Sequence, residues 1–201
     1  GSAASSRYDS TAFTNYETFS VTPAYYRQFD PLNVGIFSMQ ARRYKTTRNN
    51  ATRVDSWGPS LGWQKTISSR MKANFSAGAQ ASRQYSFGTA VDSWNWQYVF
   101  AGGLSFKGQQ DDLNFQTARE QFPYGNGTEA LQTSFSLTED HKINSLFSFN
   151  LGAKYLSSKY QTTASGNLKS LADGRLGLAY HVTEHFDITA DYRYRYETLT
   201  N

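Results

Sequence analysis

The side chains best suited to acid–base or metal chemistry are the three histidines, His141, His181 and His185. His181 and His185 flank Glu184 in the stretch HVTEH, and this spacing could bring two imidazoles and a carboxylate to one metal ion. All three histidines nevertheless fall at short polar stretches that are typical of turns, without a serine–aspartate arrangement nearby. Cysteine is absent, which excludes thiol chemistry. We therefore expect no enzymatic activity, no cofactor and no metal site.

Charged residues are better functional candidates where they fall on the polar side of an alternating pattern. In the stretch FDITADYRYRYE, from Phe186 to Glu197, even positions are apolar or aromatic and odd positions are almost wholly charged. Such alternation is typical of a β-strand whose two faces meet different surroundings. The same pattern along the chain assigns to one polar face the residues Arg42, Lys72, Lys107, Lys154, Lys169, Asp173, Arg175, Asp191, Arg193, Arg195 and Glu197.

The elements that must position these charges are long, two-faced strands. Alternation predicts ten of them, near residues 16–29, 33–47, 53–67, 70–87, 93–108, 111–122, 129–139, 142–159, 167–181 and 185–199. Many exceed ten residues, whereas strands of soluble proteins usually have about 5–6 and membrane-spanning strands about 9–11. The links alternate between short turns, namely DPL, SS, QQ, EDH and VTE, and longer links rich in Gly, Asn, Ser and Thr.

Alternating short and long links are typical of barrels in the bacterial outer membrane. The opposite strand face carries aromatic residues that gather near strand ends, as membrane-interface girdles do. We predict an all-β fold, an antiparallel transmembrane β-barrel with about ten strands, either complete or part of a larger barrel. Its lipid-facing aromatic residues are then Trp94, Trp96, Tyr98, Phe100, Phe147, Phe149, Tyr192 and Tyr194. Residues 1–15 are expected to be a polar tail or loop remnant, and residues 16–201 the barrel strands.

The stretch LGLAYHVTEHFDITADYRYRYE resembles the repeated hairpins of bacterial outer-membrane β-barrels. It is most similar to porin-type barrels associated with exopolysaccharide export, which favour L-G-L-x-Y followed by L/I-x-A-D-Y-R-Y. This resemblance covers about 30 residues, implies a transport or structural role, and carries over no catalytic residue. Such barrels usually end on an aromatic residue, whereas this sequence ends ETLTN, so we also expect that it could be one section of a larger barrel.

Register gives a further prediction for the last hairpin. If VTE is a three-residue turn, Arg175 lies opposite Asp191, Asp173 opposite Arg193, and Lys169 opposite Glu197. The turn QQ similarly sets Lys107 opposite Asp112. Opposite charges facing each other across strands stabilise a register by about 0.2–1 kcal/mol each.

The function expected from these patterns is that of a passive pore or export conduit for small or polymeric polar solutes. A slight basic excess on the polar face would favour anionic solutes; alternatively, paired charges merely fill the interior. Expected partners are outer-membrane lipid, lipopolysaccharide and other envelope or export proteins. Nucleic acid is not expected, because the net charge is only +4 and no basic run occurs. Two alternatives are a non-conducting barrel that anchors an envelope complex and a soluble β-sheet binding module.

Overall fold

The computed structural model describes residues 2–6, 16–46, 52–86, 89–90, 94–123, 129–160, 168–183 and 186–199. No helix in these ranges has the length and hydropathy to cross a bilayer. The described residues form thirteen strands: β1 (Ser2–Ser6), β2 (Tyr16–Val21), β3 (Ala24–Asp30), β4 (Asn33–Thr46), β5 (Thr52–Ser68), β6 (Met71–Ser86), β7 (Thr89–Ala90), β8 (Asn95–Lys107), β9 (Asp111–Pro123), β10 (Glu129–Lys142), β11 (Phe147–Tyr160), β12 (Leu168–Thr183) and β13 (Phe186–Leu199).

All thirteen strands belong to one antiparallel sheet in the order β1-β2-β4-β5-β6-β8-β9-β10-β11-β12-β13. Strand β3 lies beside β4 and the two-residue strand β7 lies beside β6. The all-β antiparallel prediction is therefore confirmed. In the described part of the chain, β1 and β13 form the two edges and the sheet is not closed into a ring.

Strands β2 and β3 are one predicted strand interrupted near Pro23. Strand β2 pairs with the last residues of β4 and β3 pairs with its first residues, so the two follow each other along one edge of β4. Proline has no backbone N–H to donate to a ladder, which explains the break. Upstream, the segment expected to be a polar tail or loop contributes the five-residue strand β1, which pairs with β2; residues 7–15 lie outside the described residues.

Two turns differ from the predicted ones. The turn expected at EDH instead occupies Ile143–Leu146, because β10 continues to Lys142. The side-chain oxygen of Asn144 accepts hydrogen bonds from the backbone N–H groups of Leu146 and Phe147, each at 2.8 Å. This local bonding to an asparagine side chain stabilises a turn and so moves the reversal toward the C-terminus. The turns near DPL, SS and QQ lie where predicted, and Lys107 faces Asp112 as expected.

The predicted register of the last hairpin was wrong by two residues. Arg175 faces Arg193, Asp173 faces Arg195, and Glu197 faces Leu171, while Asp191 faces Gly177. The cause is that β12 continues to Thr183, which pairs with Phe186, so VTE is not the turn. A bulge between His181 and Thr183 changes the pairing by only one residue. A second bulge, between Leu168 and Ser170, leaves Lys169 without a direct partner in this ladder.

Directly paired residues of neighbouring strands share a face of the sheet, and the registers therefore define two continuous faces. One row of the apolar face, from β4 to β13, is Gly35, Trp63, Phe75, Gly102, Thr117, Phe135, Tyr155, Ala172 and Tyr196. One row of the polar face is Val34, Gln64, Asn74, Gly103, Gln116, Ser136, Lys154, Asp173 and Arg195.

The buried residues gather at the end of the sheet where the long links lie. Strand β9 leaves β8 after Arg119, although its pairing with β10 continues to Pro123. Beyond that point, Gln121 is 2% exposed and its side-chain amide donates to the Ser82 hydroxyl at 3.1 Å. The Arg42 guanidinium donates to the Gln121 carbonyl at 2.9 Å, although four strand spacings separate β4 from β9 in the sheet. The end of the β9–β10 hairpin therefore crosses the polar face.

Candidate solute-facing surface

The polar face forms a concave surface with a cavity of about 580 Å³. Its lining crosses five neighbouring strands and β10, and the polar-face positions are mostly small or uncharged: Ile36, Ser38, Ser60, Gly62, Gln64, Lys72, Asn74, Ser76, Ala101, Gly103, Ser105, Asn114, Gln116, Ala118, Ser134 and Ser136. We call this region the small-residue sector. Because short side chains leave the space in front of the backbone empty, the sector supplies room for solvent and solute.

Close approach of two strands explains two glycines that adjoin this sector, Gly58 and Gly78. A Cβ atom on Gly58 would lie 2.0 Å from the Ala79 carbonyl oxygen, and one on Gly78 would lie 2.3 Å from the Pro59 carbonyl oxygen. Backbone oxygens cannot move aside as a flexible side chain would. Only glycine fits at these positions, and the backbones of β5 and β6 are held close together behind the cavity.

The same face carries a different surface on β11, β12 and β13, which we call the charged sector: Lys154, Asp173, Arg175, Arg193, Arg195 and Glu197. Asp173 is its central residue and is 8% exposed. It accepts a hydrogen bond from Arg193 Nε at 2.9 Å, and Arg175 Nε lies 3.4 Å from its other carboxylate oxygen. Lys154 and Arg195 face Asp173 from the two neighbouring strands, and Arg195 forms an ion pair with Glu197.

This arrangement concentrates positive charge around one buried carboxylate. Arg175 and Arg193 face each other directly, and like charges in that position repel. Both bind Asp173, which offsets the repulsion. The predicted pair of Asp173 with Arg193 therefore forms, although diagonally, whereas the predicted partners Arg175 and Asp191 do not face each other. Four basic side chains against two acidic ones leave these six residues with a formal excess of +2, and Asp191 on the same face of β13 reduces the excess to +1.

The structure brings nearly all predicted site residues to the expected faces. Of the charged set, pairing puts Arg42, Lys72, Lys107, Lys154, Asp173, Arg175, Asp191, Arg193, Arg195 and Glu197 on the polar face. Lys169 lies at a bulge, and Arg42 binds the crossing hairpin end. The charges do not form one site, because Arg42, Lys72 and Lys107 lie on other strands than the charged sector. That this face lines a lumen stays a prediction.

All eight predicted aromatic residues lie on the apolar face. Direct pairing places Trp96, Tyr98, Phe100, Phe147, Phe149, Tyr192 and Tyr194 there, and Trp94 packs against Trp57 of the same face at 6.3 Å between ring centroids. This face is uncovered: Phe75 is 58% exposed and Tyr192 is 66% exposed. Aromatic pairs occur near both ends of the strands, with Trp57 and Trp96 at the long-link end and Phe147 stacked on Tyr180 at the short-turn end.

One charged residue of the apolar face was not singled out from the sequence. Arg119 faces Phe100, and its guanidinium carbon lies 3.8 Å from the centroid of the Tyr98 ring. An arginine above an aromatic face is stabilised by the ring quadrupole, by about 0.5–2 kcal/mol. The alternation of β9 places Arg119 on this face, and the sequence signal was therefore present. The sequence did not indicate the stacking partner, because Tyr98 belongs to the neighbouring strand.

A three-residue group with metal-ligand chemistry lies at the short-turn end of the same face. Asp111 faces His141 and binds its Nδ1, and Glu139 lies two residues earlier on β10. One ligand atom from each lies within 4.8 Å of the other two, and the His141 ring packs on Phe149 at 5.0 Å. Sequence spacing pointed instead to His181, which binds Asp187 at 2.7 Å; Glu184 and His185 lie outside the described residues. Asp111 and His141 are thirty residues apart, and only strand pairing brings them together.

The fold of this chain, but not its sequence, matches known proteins. No protein-family model and no curated protein matches the sequence. The FrpB iron transporter from Neisseria meningitidis (F3-3 variant), a solved outer-membrane β-barrel, superposes with a TM-score of 0.65 at 6% sequence identity. The match covers 92% of this chain and 36% of the transporter, so this chain spans about a third of that neighbour's length.

Two further solved structures match less closely. A Pseudomonas aeruginosa FadL homologue has a TM-score of 0.43 at 12% identity, covering 94% of this chain and 60% of its own. The CymD monoaromatic hydrocarbon channel has a TM-score of 0.41 at 11% identity, covering 98% of this chain and 73% of its own. These two scores are too low to support a conclusion. The match to the iron transporter shows that the described sheet has the fold of an outer-membrane β-barrel wall.

Proposed function

We propose that the chain forms wall strands of a bacterial outer-membrane β-barrel that acts as a passive pore or conduit for polar solutes. The observation that carries this proposal is the division of one sheet into two unlike faces. The apolar face is aromatic and uncovered, while the polar face is concave and lines an open cavity of about 580 Å³. A sheet between lipid and a water-filled interior needs this division, because lipid-facing and interior-facing residues alternate along every strand.

Solute preference is assigned to the charged sector. Its excess positive charge lies on the same face, and in the same strand-pairing rows, as the small-residue sector. A solute in the cavity would therefore meet a positive potential from Lys154, Arg175, Arg193 and Arg195. Such a field raises the local concentration of anions. Small anionic solutes are the proposed substrates, with polymeric polar solutes as a narrower possibility that the resemblance to export-associated barrels suggests.

Detergent dependence tests the membrane assignment. The protein should require detergent or lipid to stay in solution, because exposed apolar side chains such as Phe75, Leu61 and Tyr192 would otherwise associate. Stable monomeric behaviour in buffer alone would favour the soluble binding module instead.

Planar bilayers test the pore itself. The wild-type protein should give ohmic conductance with a reversal potential that favours anions in a salt gradient. The double variant Arg175→Gln with Arg193→Gln removes two positive charges, which abolishes the excess, and should move the reversal potential toward zero. Lys65→Gln with Arg70→Gln, which removes two charges outside the polar-face cavity, should leave it unchanged.

A specific feature favours a second candidate, the non-conducting anchor. The crossing end of the β9–β10 hairpin, held by Arg42, Ser82 and Gln121, covers part of the polar face at the long-link end. If wild-type protein inserts into bilayers without conductance, this closed arrangement and an anchoring role with other envelope proteins replace the pore. Neither role requires catalysis, and we propose no enzymatic activity for the chain.

A further inference from the structure

The apolar face changes character abruptly at the long-link end, across three successive rows of paired residues. The first row is apolar and consists of Val21, Ala41, Trp57, Ala81 and Trp96. The second row is Phe19, Arg43, Asp55 and Arg83, and the third is Glu17, Lys45, Arg53 and Tyr85. We call Arg43, Lys45, Arg53 and Arg83 the outer basic cluster. The row with the tryptophans and the row with Arg43 and Arg83 are only two residues apart along a strand, which is about 7 Å.

Internal contacts hold the cluster in place. Asp55 accepts from Arg43 Nε at 2.8 Å and forms a second ion pair with Arg53. The guanidinium carbons of Arg53 and Arg83 lie 5.1 and 4.9 Å from the centroid of the Tyr85 ring. The side chains of Arg43, Arg53 and Arg83 are therefore each held by a carboxylate, an aromatic ring or both before any ligand binds. Arg43 nevertheless keeps a side-chain exposure of 58% and Arg53 of 42%, so both remain accessible.

The charge of the cluster is not balanced internally. Four basic residues share these rows with two acidic ones, Asp55 and Glu17, which leaves a formal excess of +2. The excess lies on the outward face rather than beside the cavity, and it therefore cannot act on a solute inside the barrel at close range. Its surroundings are instead the tryptophans one row below it, Trp57 and Trp96, which pack edge to face at 5.3 Å.

We propose that the outer basic cluster binds phosphate groups of outer-leaflet lipid, with the acyl chains lying on the apolar face below it. Tryptophans are enriched at the boundary between hydrocarbon and headgroups, so the cluster lies at headgroup height. Arginine forks match phosphate oxygens bidentately, and basic residues near a membrane surface attract anionic lipid. This inference rests on the proposed position of the sheet in an outer membrane and names its lipid partner as one with a phosphorylated headgroup.

The test measures binding of a defined lipid to the purified protein in detergent. The probe is lipid A bearing its phosphates, presented in neutral micelles, with dephosphorylated lipid A and inorganic phosphate as separate arms. Wild-type protein should bind the phosphorylated lipid, less tightly at high salt. Arg43→Gln with Arg53→Gln should weaken binding about tenfold or more, since each basic residue near a lipid surface contributes measurably.

Control variants keep the result interpretable. Lys65→Gln with Arg70→Gln removes two charges from the short-turn end of the sheet and should leave lipid affinity unchanged. Arg43→Lys with Arg53→Lys retains the charge but loses the bidentate forks, so it should bind the phosphorylated lipid more weakly than wild type and more tightly than the glutamine variant. If the glutamine variant fails to fold, an unchanged affinity of the lysine variant contradicts the arginine site.

Three outcomes would overturn the proposal. The glutamine variant could bind the lipid as tightly as wild type does, or dephosphorylated lipid A could bind as tightly as the phosphorylated form. Inorganic phosphate could also displace the lipid when the two are present at equal concentrations. Failure of the wild-type protein to insert into any membrane would instead overturn the proposed function. Insertion with unchanged affinity in the variant overturns only the lipid site.

Discussion

The small-residue sector and the charged sector share one face of the sheet, yet their side chains differ in length and in charge. In the row that joins them, Asn74, Gly103 and Gln116 of the first sector lead through Ser136 to Lys154, Asp173 and Arg195 of the second. The first sector creates space because its side chains are short. The second fills space with long side chains held by one buried carboxylate. The comparison indicates that one group of strands provides the space for a solute and another group provides the electrostatic field that acts on it.

The largest expected effect tests whether both sectors have lipid behind them. Phe75→Arg would place a cation on the apolar face directly behind the cavity, where an arginine at mid-bilayer costs about 2–4 kcal/mol. Asn74→Arg, one residue earlier, points into the cavity and should be tolerated much better. The measurement is unfolding of each variant in lipid vesicles. Equal losses would mean that the two faces do not meet different surroundings.

A slightly smaller effect is expected at the backbone that supports the small-residue sector. Gly58→Ala puts a methyl group against the Ala79 carbonyl, and such overpacking costs about 1–3 kcal/mol. Gly174→Ala, on a strand of the charged sector, meets nothing within 4 Å and should change stability by less than about 1 kcal/mol. Denaturant unfolding in detergent compares the two variants. A neutral Gly58→Ala would show that β5 and β6 separate easily.

The charged sector is tested by coupling between residues. Asp173→Arg sets an arginine opposite Lys154 and Arg195, and Arg193→Asp sets a second carboxylate diagonally beside Asp173, so each change should destabilise the sheet. The double variant should recover much of the loss by restoring the pair in reverse. A double-mutant cycle for Arg175 and Asp191 serves as the control and should give almost no coupling, because those residues do not face each other. If only the control cycle showed coupling, the result would support the register predicted from the turn.

The smallest effect concerns the outer basic cluster, which belongs to neither sector. Asp55 accepts a hydrogen bond from Arg43 and forms an ion pair with Arg53, and exposed ion pairs contribute about 0.2–1 kcal/mol each. Asp55→Asn should therefore lower the free energy of unfolding in detergent by about 1 kcal/mol or less. A loss as large as that of Phe75→Arg would contradict this.

Much of the wall followed from the sequence because strand periodicity is a local property. Alternation alone placed ten charges and eight aromatics on opposite faces, and ten predicted strands correspond to the long strands observed, one of them split by Pro23. The errors lie where local bonding sets the turn. The Asn144 side chain moved one reversal from EDH to Ile143–Leu146. In the last hairpin, β12 continues through VTE to Thr183, and the register differs from the predicted one by two residues. Neither feature leaves a mark on the alternating pattern.

The sequence by itself determined which residues share a face, because successive side chains of any extended strand point to opposite sides. Only the tertiary structure decided which residues meet across strands. Asp173 became the centre of the charged sector, Arg53 and Arg83 met at Tyr85, and Asp111 reached His141 through pairing registers. Arg42 contacts Gln121 only because the end of β9 separates from β8 and crosses the polar face. Such contacts join residues far apart in the chain, and their geometry depends on turns, bulges and curvature that no periodic pattern specifies.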